Sequence, residues 1–224
     1  MSSDANSLSL RVHIQNNINM QNNIQIFPGV KGLIFDLDGT IANTMPAHYI
    51  AWRETLKKQG IDFTIDLFME LAGIPLYGTV EKLNKMFNKS IDPVQLGEEK
   101  EDIFRATIHK TKVIEPVAEI IRQYHGKLPM SVGTGGQRVI AENTLKVVGM
   151  DKYFDILVTS DDISNPKPHP ETFLKCAEQM GVAPEDCQVF EDGILGMNAA
   201  RDAGMKLTDV TQYYEVTIGQ ETES

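Results

Sequence analysis

Two aspartates near the start of the sequence have the spacing of a nucleophile and its acid/base partner. Asp36 and Asp38 lie in DLDGT, directly after the apolar run GLIF. A carboxylate can attack a phosphoryl group in line, and a carboxyl group two residues further on can donate a proton to the leaving oxygen and later take one from water. A DLDG segment by itself is also typical of a polar turn after a strand. The interpretation as a catalytic pair therefore depends on partners elsewhere in the chain.

Three further polar segments follow predicted strands. Thr134 comes after MSVG, Lys167 lies in the loop NPKPHPE a few residues beyond ILVTS, and Glu191 and Asp192 come after CQVF. The carboxyl ends of parallel strands meet at one edge of a sheet and form the ligand crevice of open α/β folds. We therefore expect these side chains to lie beside the aspartates of DLDGT, although they are far apart in the sequence.

The expected crevice would hold three or four carboxylates, which repel one another unless a cation neutralises them. Oxygen ligands without His or Cys suit Mg²⁺. A bound metal together with Lys167 would reverse the local sign of the charge and attract a phosphate dianion into an acidic protein. Phosphoryl transfer is the chemistry that uses such a group of residues most directly.

The segment after Thr134 suits the oxygens of a phosphoryl group. Thr134 supplies a hydroxyl, and Gly135 and Gly136 offer backbone amides at the start of the following helix. Each polar segment also has a plainer interpretation by itself. Residues 134–136 could form a strand-to-helix turn, Lys167 could be a solvated loop lysine, and residues 191–192 could form an exposed loop or a helix cap. Their shared position at strand ends favours one common site.

The elements that would position these residues form an α/β pattern. After Pro116, short apolar strands alternate with amphipathic helices, which predicts a doubly wound parallel sheet covered on both faces. The preceding stretch has a helical period, with Pro46 near its start and Gly60 as a stop, and predicts an all-helical insert. The predicted organisation is an N-terminal arm (1–29), an α/β core (30–43 and 112–212), a helical cap (44–111) and a C-terminal tail (213–224).

The arm carries no residues with an evident chemical role. Leu8, Leu10, Val12 and Ile14 alternate with polar residues in the pattern of a half-buried strand, and the following INMQNNIQIF would suit a hairpin. A loose tail is the alternative. The sequence does not favour either.

Composition limits the classes of partner and the location. The net charge of −10 (21 basic against 31 acidic residues) disfavours nucleic acid. No apolar run has the length of a membrane span, and the opening residues lack the pattern of a secretory signal. Cys176 and Cys187 show neither a zinc-binding nor a disulfide spacing. We therefore expect a cytoplasmic protein that acts on a small molecule, without nucleic acid or membrane partners. A monomer is a separate expectation, because composition does not determine the oligomeric state.

These motifs resemble a known family. DLDGT, Thr134, Lys167 and the EDG at 191–193 resemble the haloacid dehalogenase superfamily in its β-phosphoglucomutase-like branch, over about 31–210. The segments AHYIAWRETL, PMSVGTG, KPHPETFLKCAEQMGV and VFEDGILGMNAARDAGM are similar to those of small bacterial fructose-1-phosphate (6-phosphogluconate) phosphatases. The resemblance implies a Rossmann-like core with an inserted helical cap. It also implies a Mg²⁺-dependent phosphohydrolase that forms an aspartyl phosphate and acts on a small phosphorylated sugar or sugar acid.

The resemblance implies a role for each residue at the sheet edge. Asp36 would be the nucleophile and a metal ligand, and Asp38 would be the acid/base, with its carbonyl on the metal. Thr134 would bind the phosphate, and Lys167 would pair with Asp36 and the phosphoryl group. Glu191 and Asp192 would complete the metal site.

Three cap residues match positions that face the active site in the relatives. These are His48, Trp52 and Lys100. His48 and Trp52 are four residues apart and share one helix face, where they could form a substrate wall. A Trp packed in the cap with a surface His is the alternative. Cap closure would exclude water, with hinges near Ala42–Met45 and Thr111–Ile114.

Leu76 bears on a second activity with the same chemistry. Mutases of this branch carry a cap arginine just after the motif that corresponds to LAGIP, and Leu76 stands at that position. The second phosphate of a bisphosphate intermediate would lack this partner, which favours a phosphatase and leaves a mutase as the runner-up. The chain departs from the family pattern at two further positions. Gly193 stands where Ser or Ala is often found, and Asn43 stands where an Asp is often found. We expect both departures to leave phosphatase chemistry intact.

A different class of protein shares several of these parts. A receiver-like signalling module also uses Asp, Thr, Lys and a metal, and keeps a phosphoaspartate as its output. Asp38 and the large helical insert argue against it, because a phosphate store needs neither a leaving-group acid nor a lid. Dehalogenation requires neither the second aspartate nor the acidic pair. A non-catalytic interaction module would leave the carboxylates at the sheet edge unexplained.

Overall fold

A parallel five-stranded sheet lies at the centre of the structure, a computed structural model that describes residues 23–71, 74–215 and 218. The strand order is β3-β2-β1-β4-β5. The strands are β1 (Gly32–Phe35), β2 (Met130–Gly133), β3 (Ile156–Val158), β4 (Cys187–Glu191) and β5 (Lys206–Asp209). Since β1 is the middle strand, the residues that follow it lie at the centre of the carboxyl edge.

Helices cover both faces of the sheet. They are α5 (Glu115–Tyr124), α6 (Arg138–Val147), α7 (Glu171–Met180) and α8 (Ile194–Asp202). Leu33 and Phe35 belong to the apolar cluster formed with α5 and α6, whereas Ile34 belongs to the cluster formed with α7 and α8. Neighbouring strand residues point to opposite faces, so one apolar run supplies both cores. The predicted doubly wound α/β fold is confirmed.

The segment between β1 and α5 is helical, as its period predicts. It contains α1 (Met45–Lys58), α2 (Ile65–Leu71), α3 (Leu76–Phe87) and α4 (Pro93–Thr107), followed by a 3-10 turn (Ile108–Lys110). These helices, called the cap below, share a buried cluster that includes Leu56, Phe63 and Leu83. Gly60 adopts a φ of +72°, a left-handed conformation that suits the turn after α1.

The two connections between the cap and the sheet lie side by side. Asn43 N donates to Lys112 O (2.9 Å), and Ile114 N donates to Ile41 O (2.9 Å). The predicted hinge segments are therefore hydrogen-bonded to each other. The cap also contacts α6, because Phe104 shares an apolar cluster with Ile140.

The described part of the arm is attached to the sheet. Ile24 is buried in the cluster beneath α5 and α6. Gln188, inside β4, accepts a hydrogen bond from Phe27 N (2.9 Å) and donates one to Gln25 O (2.9 Å). The predicted strand at 8–14 and the first half of the predicted hairpin (18–22) lie outside the described residues. None of the helices in the described ranges combines the length and hydrophobicity that a membrane span requires.

Candidate active site

Lys167 joins two buried carboxylates at the carboxyl ends of β1 and β4. Lys167 Nζ lies 2.6 Å from Asp36 Oδ1 and 2.8 Å from Glu191 Oε1. Asp36 and Glu191 are neighbours because Phe35 pairs with Phe190 in the strand register. The carboxylate side chains are only 9% and 4% exposed. The structure thus brings together three residues that the sequence predicts at one site.

Asp192 completes a group of oxygen donors. Ligand atoms of Asp36, Glu191 and Asp192 all lie within 4.8 Å of one another. Thr40 Oγ1 donates a hydrogen bond to Asp192 Oδ1 (2.9 Å) and orients that carboxylate. This all-oxygen donor set fits a hard divalent cation such as Mg²⁺. The Asp38 side chain is outside this group and faces the cap.

The electrostatics of this group also fit a cation. The pKa of Asp36 lies well above its usual value, chiefly because the carboxyl group is buried. The Lys167 charge opposes this shift, whereas the charges of Glu191 and Asp192 add to it. Burial and the Glu191 charge raise the pKa of Asp192 to about 7. Burial alone would lower the pKa of Lys167, but the two carboxylates that it contacts raise it above its usual value. Three carboxylates against one ammonium leave an excess of negative charge that a divalent cation would balance.

Two glycines make room for the acidic side chains. Gly39 has a φ of +86°, and a Cβ there would lie 2.2 Å from Asp192 Oδ2. A Cβ on Gly196, in α8, would lie 1.6 Å from Glu191 Oε1. Both glycines occur in motifs that the sequence singles out, but sequence reasoning assigned neither a role, because spacing does not show which backbone a carboxylate touches.

The Thr134 loop adjoins Asp38. Thr134 N donates to Val158 O (2.9 Å), which ties the loop to β3. Thr134 Oγ1 accepts a hydrogen bond from Gly136 N (3.0 Å), and a Cβ on Gly136 would lie 3.7 Å from Asp38 Oδ2. The sequence predicts that the Gly136 amide is available for a phosphoryl oxygen, but it donates to Thr134 instead. The hydroxyl hydrogen of Thr134 can still point to another acceptor. Gly135 is exposed, with open space around it.

Asp38 faces the cap through His48. His48 Nε2 lies 3.6 Å from Asp38 Oδ1, and the imidazole stacks on Phe104 with 4.2 Å between ring centroids. Burial alone would raise the pKa of Asp38, but His48, Thr44 and the Lys100 charge together hold it below its usual value. Burial and the Lys100 charge lower the pKa of His48, although Asp38 opposes them. Near neutral pH an ionised Asp38 therefore faces a neutral imidazole.

Lys100 is buried in the cap beside Trp52. Lys100 Nζ lies 5.9 Å from the Trp52 ring centroid and 5.4 Å from that of Phe104, and donates to Glu101 Oε1 (2.6 Å). Trp52 also lies 6.0 Å from the Phe63 ring, so it packs in the cap cluster while one part faces Lys100. Glu101, which accepts this hydrogen bond, lies in none of the motifs that the sequence offers.

Tyr214 also contacts the DLDGT loop. Its hydroxyl donates a hydrogen bond to the carbonyl of Gly39, and its ring packs against the cluster beneath α5 and α6. Burial raises the pKa of the Tyr214 hydroxyl, and neighbouring acidic charges raise it further, so this hydroxyl stays a donor. The sequence pattern placed Tyr214 in a tail without a role, since no local signal shows a contact across 175 residues.

The fold and the site define an α/β protein with an acidic crevice at the sheet edge and a helical cap beside it. The chain belongs to the haloacid dehalogenase-like hydrolase family, whose match covers residues 33–210. The predicted family is confirmed, and the chain is a hydrolase.

Individual relatives agree with this assignment. The fructose-1-phosphate phosphatase YqaB of Escherichia coli (strain K12) is 41% identical over 179 residues, which are 80% of this chain and 95% of the relative. A phosphorylated carbohydrates phosphatase of Thermotoga maritima is 30% identical over 181 residues, which are 79% of this chain and 83% of the relative. The crystal structure of β-phosphoglucomutase from Clostridium difficile has a TM-score of 0.69 and 26% identity, covering 80% of this chain and 83% of that chain. The predicted resemblance to the β-phosphoglucomutase-like branch is confirmed.

Proposed function

We propose that this hydrolase is a Mg²⁺-dependent phosphatase of small sugar phosphates and that Asp36 is its nucleophile. The observation that carries the proposal is the buried Asp36 carboxylate, held by Lys167 at the centre of the sheet edge. The names of the phosphatase relatives support a phosphorylated carbohydrate as the substrate. A cytoplasmic location and a monomeric state remain predictions.

Asp36, Glu191 and Asp192 would hold the cation. When bound, Mg²⁺ neutralises the acidic group and stabilises negative charge on the phosphoryl oxygens. Lys167, which contacts Asp36 and Glu191, contributes a second positive charge at the same position. This local charge explains how a protein with a net charge of −10 can attract a phosphate dianion.

In the first step of the proposed reaction, one Asp36 oxygen attacks phosphorus. The bond between phosphorus and the sugar oxygen breaks, and Asp38 gives its proton to that oxygen. The Thr134 hydroxyl and Lys167 hold the phosphoryl oxygens. The products are an aspartyl phosphate on Asp36 and the free sugar.

In the second step, water attacks the phosphorus of the aspartyl phosphate. Asp38, now a carboxylate, accepts a proton from this water as the bond to Asp36 breaks. Inorganic phosphate leaves, and Asp36 regains its carboxylate. The same residue thus serves as acid and then as base.

Asp38 must carry a proton when the substrate is cleaved, whereas its pKa is low in the substrate-free protein. A phosphate dianion bound beside Asp38 would raise the pKa of its carboxyl group, because it opposes a further negative charge. Closure of the cap would exclude water and strengthen this effect. The Lys100 charge, which favours an ionised Asp38, then eases release of the proton.

Leu76 supports hydrolysis over isomerisation. It packs with the apolar cluster of the cap, and a Cβ on Gly97 would lie 2.5 Å from Leu76 Cδ2. This position therefore offers no cation to a second phosphate group.

The proposal is tested by measuring phosphate release from a panel of sugar phosphates, with Mg²⁺ and with a chelator. We expect Mg²⁺-dependent release from at least one small sugar phosphate. Isomerisation of glucose 1-phosphate without phosphate release would instead support a mutase. An aspartyl phosphate that persists for hours would support the receiver-like alternative.

A further inference from the structure

Glu101 presents a carboxylate oxygen without a partner inside the cap. Its Oε1 accepts a hydrogen bond from Lys100 Nζ (2.6 Å), but its buried Oε2 has no hydrogen-bond partner among the residues that the structure describes. Leaving a charged oxygen buried and unpaired is unfavourable. This oxygen therefore needs a donor that the described residues do not supply.

The position of Glu101 links this oxygen to the leaving-group side of the proposed site. Lys100, its partner, lies over the rings of Trp52 and Phe104. Phe104 stacks on His48, which faces Asp38. Asp38 is the residue proposed to protonate the sugar oxygen, so these cap residues lie toward the sugar rather than toward the phosphoryl group.

The charges of the pair cancel. Lys100 and Glu101 have side chains 8% and 26% exposed and form a direct ion pair. The Lys100 ammonium thus already holds one carboxylate oxygen, and Glu101 Oε2 is the oxygen left without a donor among the described residues. A carboxylate accepts hydrogen bonds from hydroxyl groups and repels another carboxylate. The half-buried ring of Trp52 can contact the C–H face of a sugar.

We infer that Glu101 is a specificity-determining residue that accepts hydrogen bonds from the hydroxyl groups of a neutral sugar and disfavours a sugar acid. The inference rests on the proposed phosphatase function and narrows its substrate class. Phosphorylated aldoses and ketoses meet a suitable acceptor at this position. A phosphorylated aldonic acid brings a second anionic group towards Glu101 and is disfavoured.

The test is Glu101→Gln, which removes the negative charge but keeps the size of the side chain. Its kinetics are compared with the wild type on fructose 1-phosphate, 6-phosphogluconate and p-nitrophenyl phosphate. For the neutral sugar we expect kcat/KM to fall about tenfold, mostly through KM, because a hydrogen bond to a charged acceptor is replaced by a weaker one to a neutral amide. The ratio of activity on the sugar acid to that on the neutral sugar should rise. Activity on p-nitrophenyl phosphate, whose leaving group has no sugar hydroxyls, should fall clearly less than activity on the neutral sugar.

Glu99→Gln is the matched control. Glu99 is on the same helix but pairs with Lys58 at the surface (3.1 Å), and its replacement should change none of these ratios. Thermal melting of each variant checks that the fold is intact. Glu101→Asp is a second variant that keeps the charge and should keep the discrimination against the sugar acid.

The outcomes separate the inference from the proposed function. An unchanged substrate ratio in Glu101→Gln, or an equal loss on all three substrates, overturns the role of Glu101 and leaves the phosphatase function in place. A wild-type protein that releases phosphate from none of the three substrates overturns the proposed function, and the inference with it.

Discussion

Lys167 Nζ lies 2.6 Å from Asp36 Oδ1, although 131 residues separate the two in the sequence. The contact forms because the loops after β1 and β3 both reach the carboxyl edge of the sheet. It supplies the positive charge nearest to the proposed nucleophile. Its removal would leave Asp36 and Glu191 buried without that charge.

Lys167→Met should therefore reduce both turnover and stability. Breaking a buried ion pair on one side costs about 3–5 kcal/mol, and loss of a charge beside the phosphoryl group should lower kcat by about 10²-fold or more. Thermal melting and phosphate release measure the two effects. Lys175→Met is a control, because the Lys175 ammonium donates to a backbone carbonyl, that of Asp162, away from the acidic group. A variant with the melting temperature and kcat of the wild type would contradict this role.

Gly196→Ala should weaken metal binding. The new Cβ would lie 1.6 Å from Glu191 Oε1 and must displace that carboxylate. Alanine favours a helix over glycine by about 1 kcal/mol, which is too little to offset the clash. We expect Mg²⁺ affinity to fall about tenfold or more, as measured by calorimetric titration. Asn198→Ala, on the same helix, is the control, because the Asn198 side chain accepts a hydrogen bond from Arg201 at the surface. Unchanged affinity in Gly196→Ala would refute the placement of Glu191 in the metal site.

Tyr214→Phe should loosen the loop that carries the two aspartates. The lost hydrogen bond to the Gly39 carbonyl should cost about 1 kcal/mol of folding free energy, and we expect a loss of several-fold in kcat with little change in KM. The readouts are chemical denaturation and steady-state kinetics. Tyr213→Phe is the control, since the Tyr213 hydroxyl makes no hydrogen bond within the described ranges. Equal kinetics for both variants would argue against this contact as a support for the loop.

Mg²⁺ affinity should depend on pH through Asp192. Burial and the Glu191 charge raise its pKa to about 7, and a carboxyl group must lose its proton before it can bind a metal. Below about pH 7, protons compete with the ion, so the dissociation constant should rise by up to about tenfold per pH unit. Titrations in buffers of different ionisation enthalpy would detect the released proton. A dissociation constant that is constant from pH 5.5 to 8 would contradict this linkage.

The sequence predicts the fold well because two strong signals coincide. The short apolar runs such as GLIF are buried on both sides, as in β1, and the helical period between Met45 and Thr107 corresponds to α1 through α4. Strand ends then predict which side chains converge, and Asp36, Lys167 and Glu191 do lie together.

Other parts of the site have no local signal. Glu101 lies in a charged helix that resembles any exposed helix, and only the packing of α4 against α1 places it inside the cap. Tyr214 contacts a loop at the other end of the chain. Such contacts depend on tertiary packing, which periodicity and motif spacing do not encode.

The covalent role of Asp36 is tested most directly by Asp36→Asn, which keeps the size of the side chain and removes the attacking carboxylate. Phosphate release from the best sugar phosphate is measured for both proteins with Mg²⁺ present. We predict that the variant folds and loses activity by at least about 10³-fold. Phosphate release at the wild-type rate by Asp36→Asn would contradict the aspartyl-phosphate route.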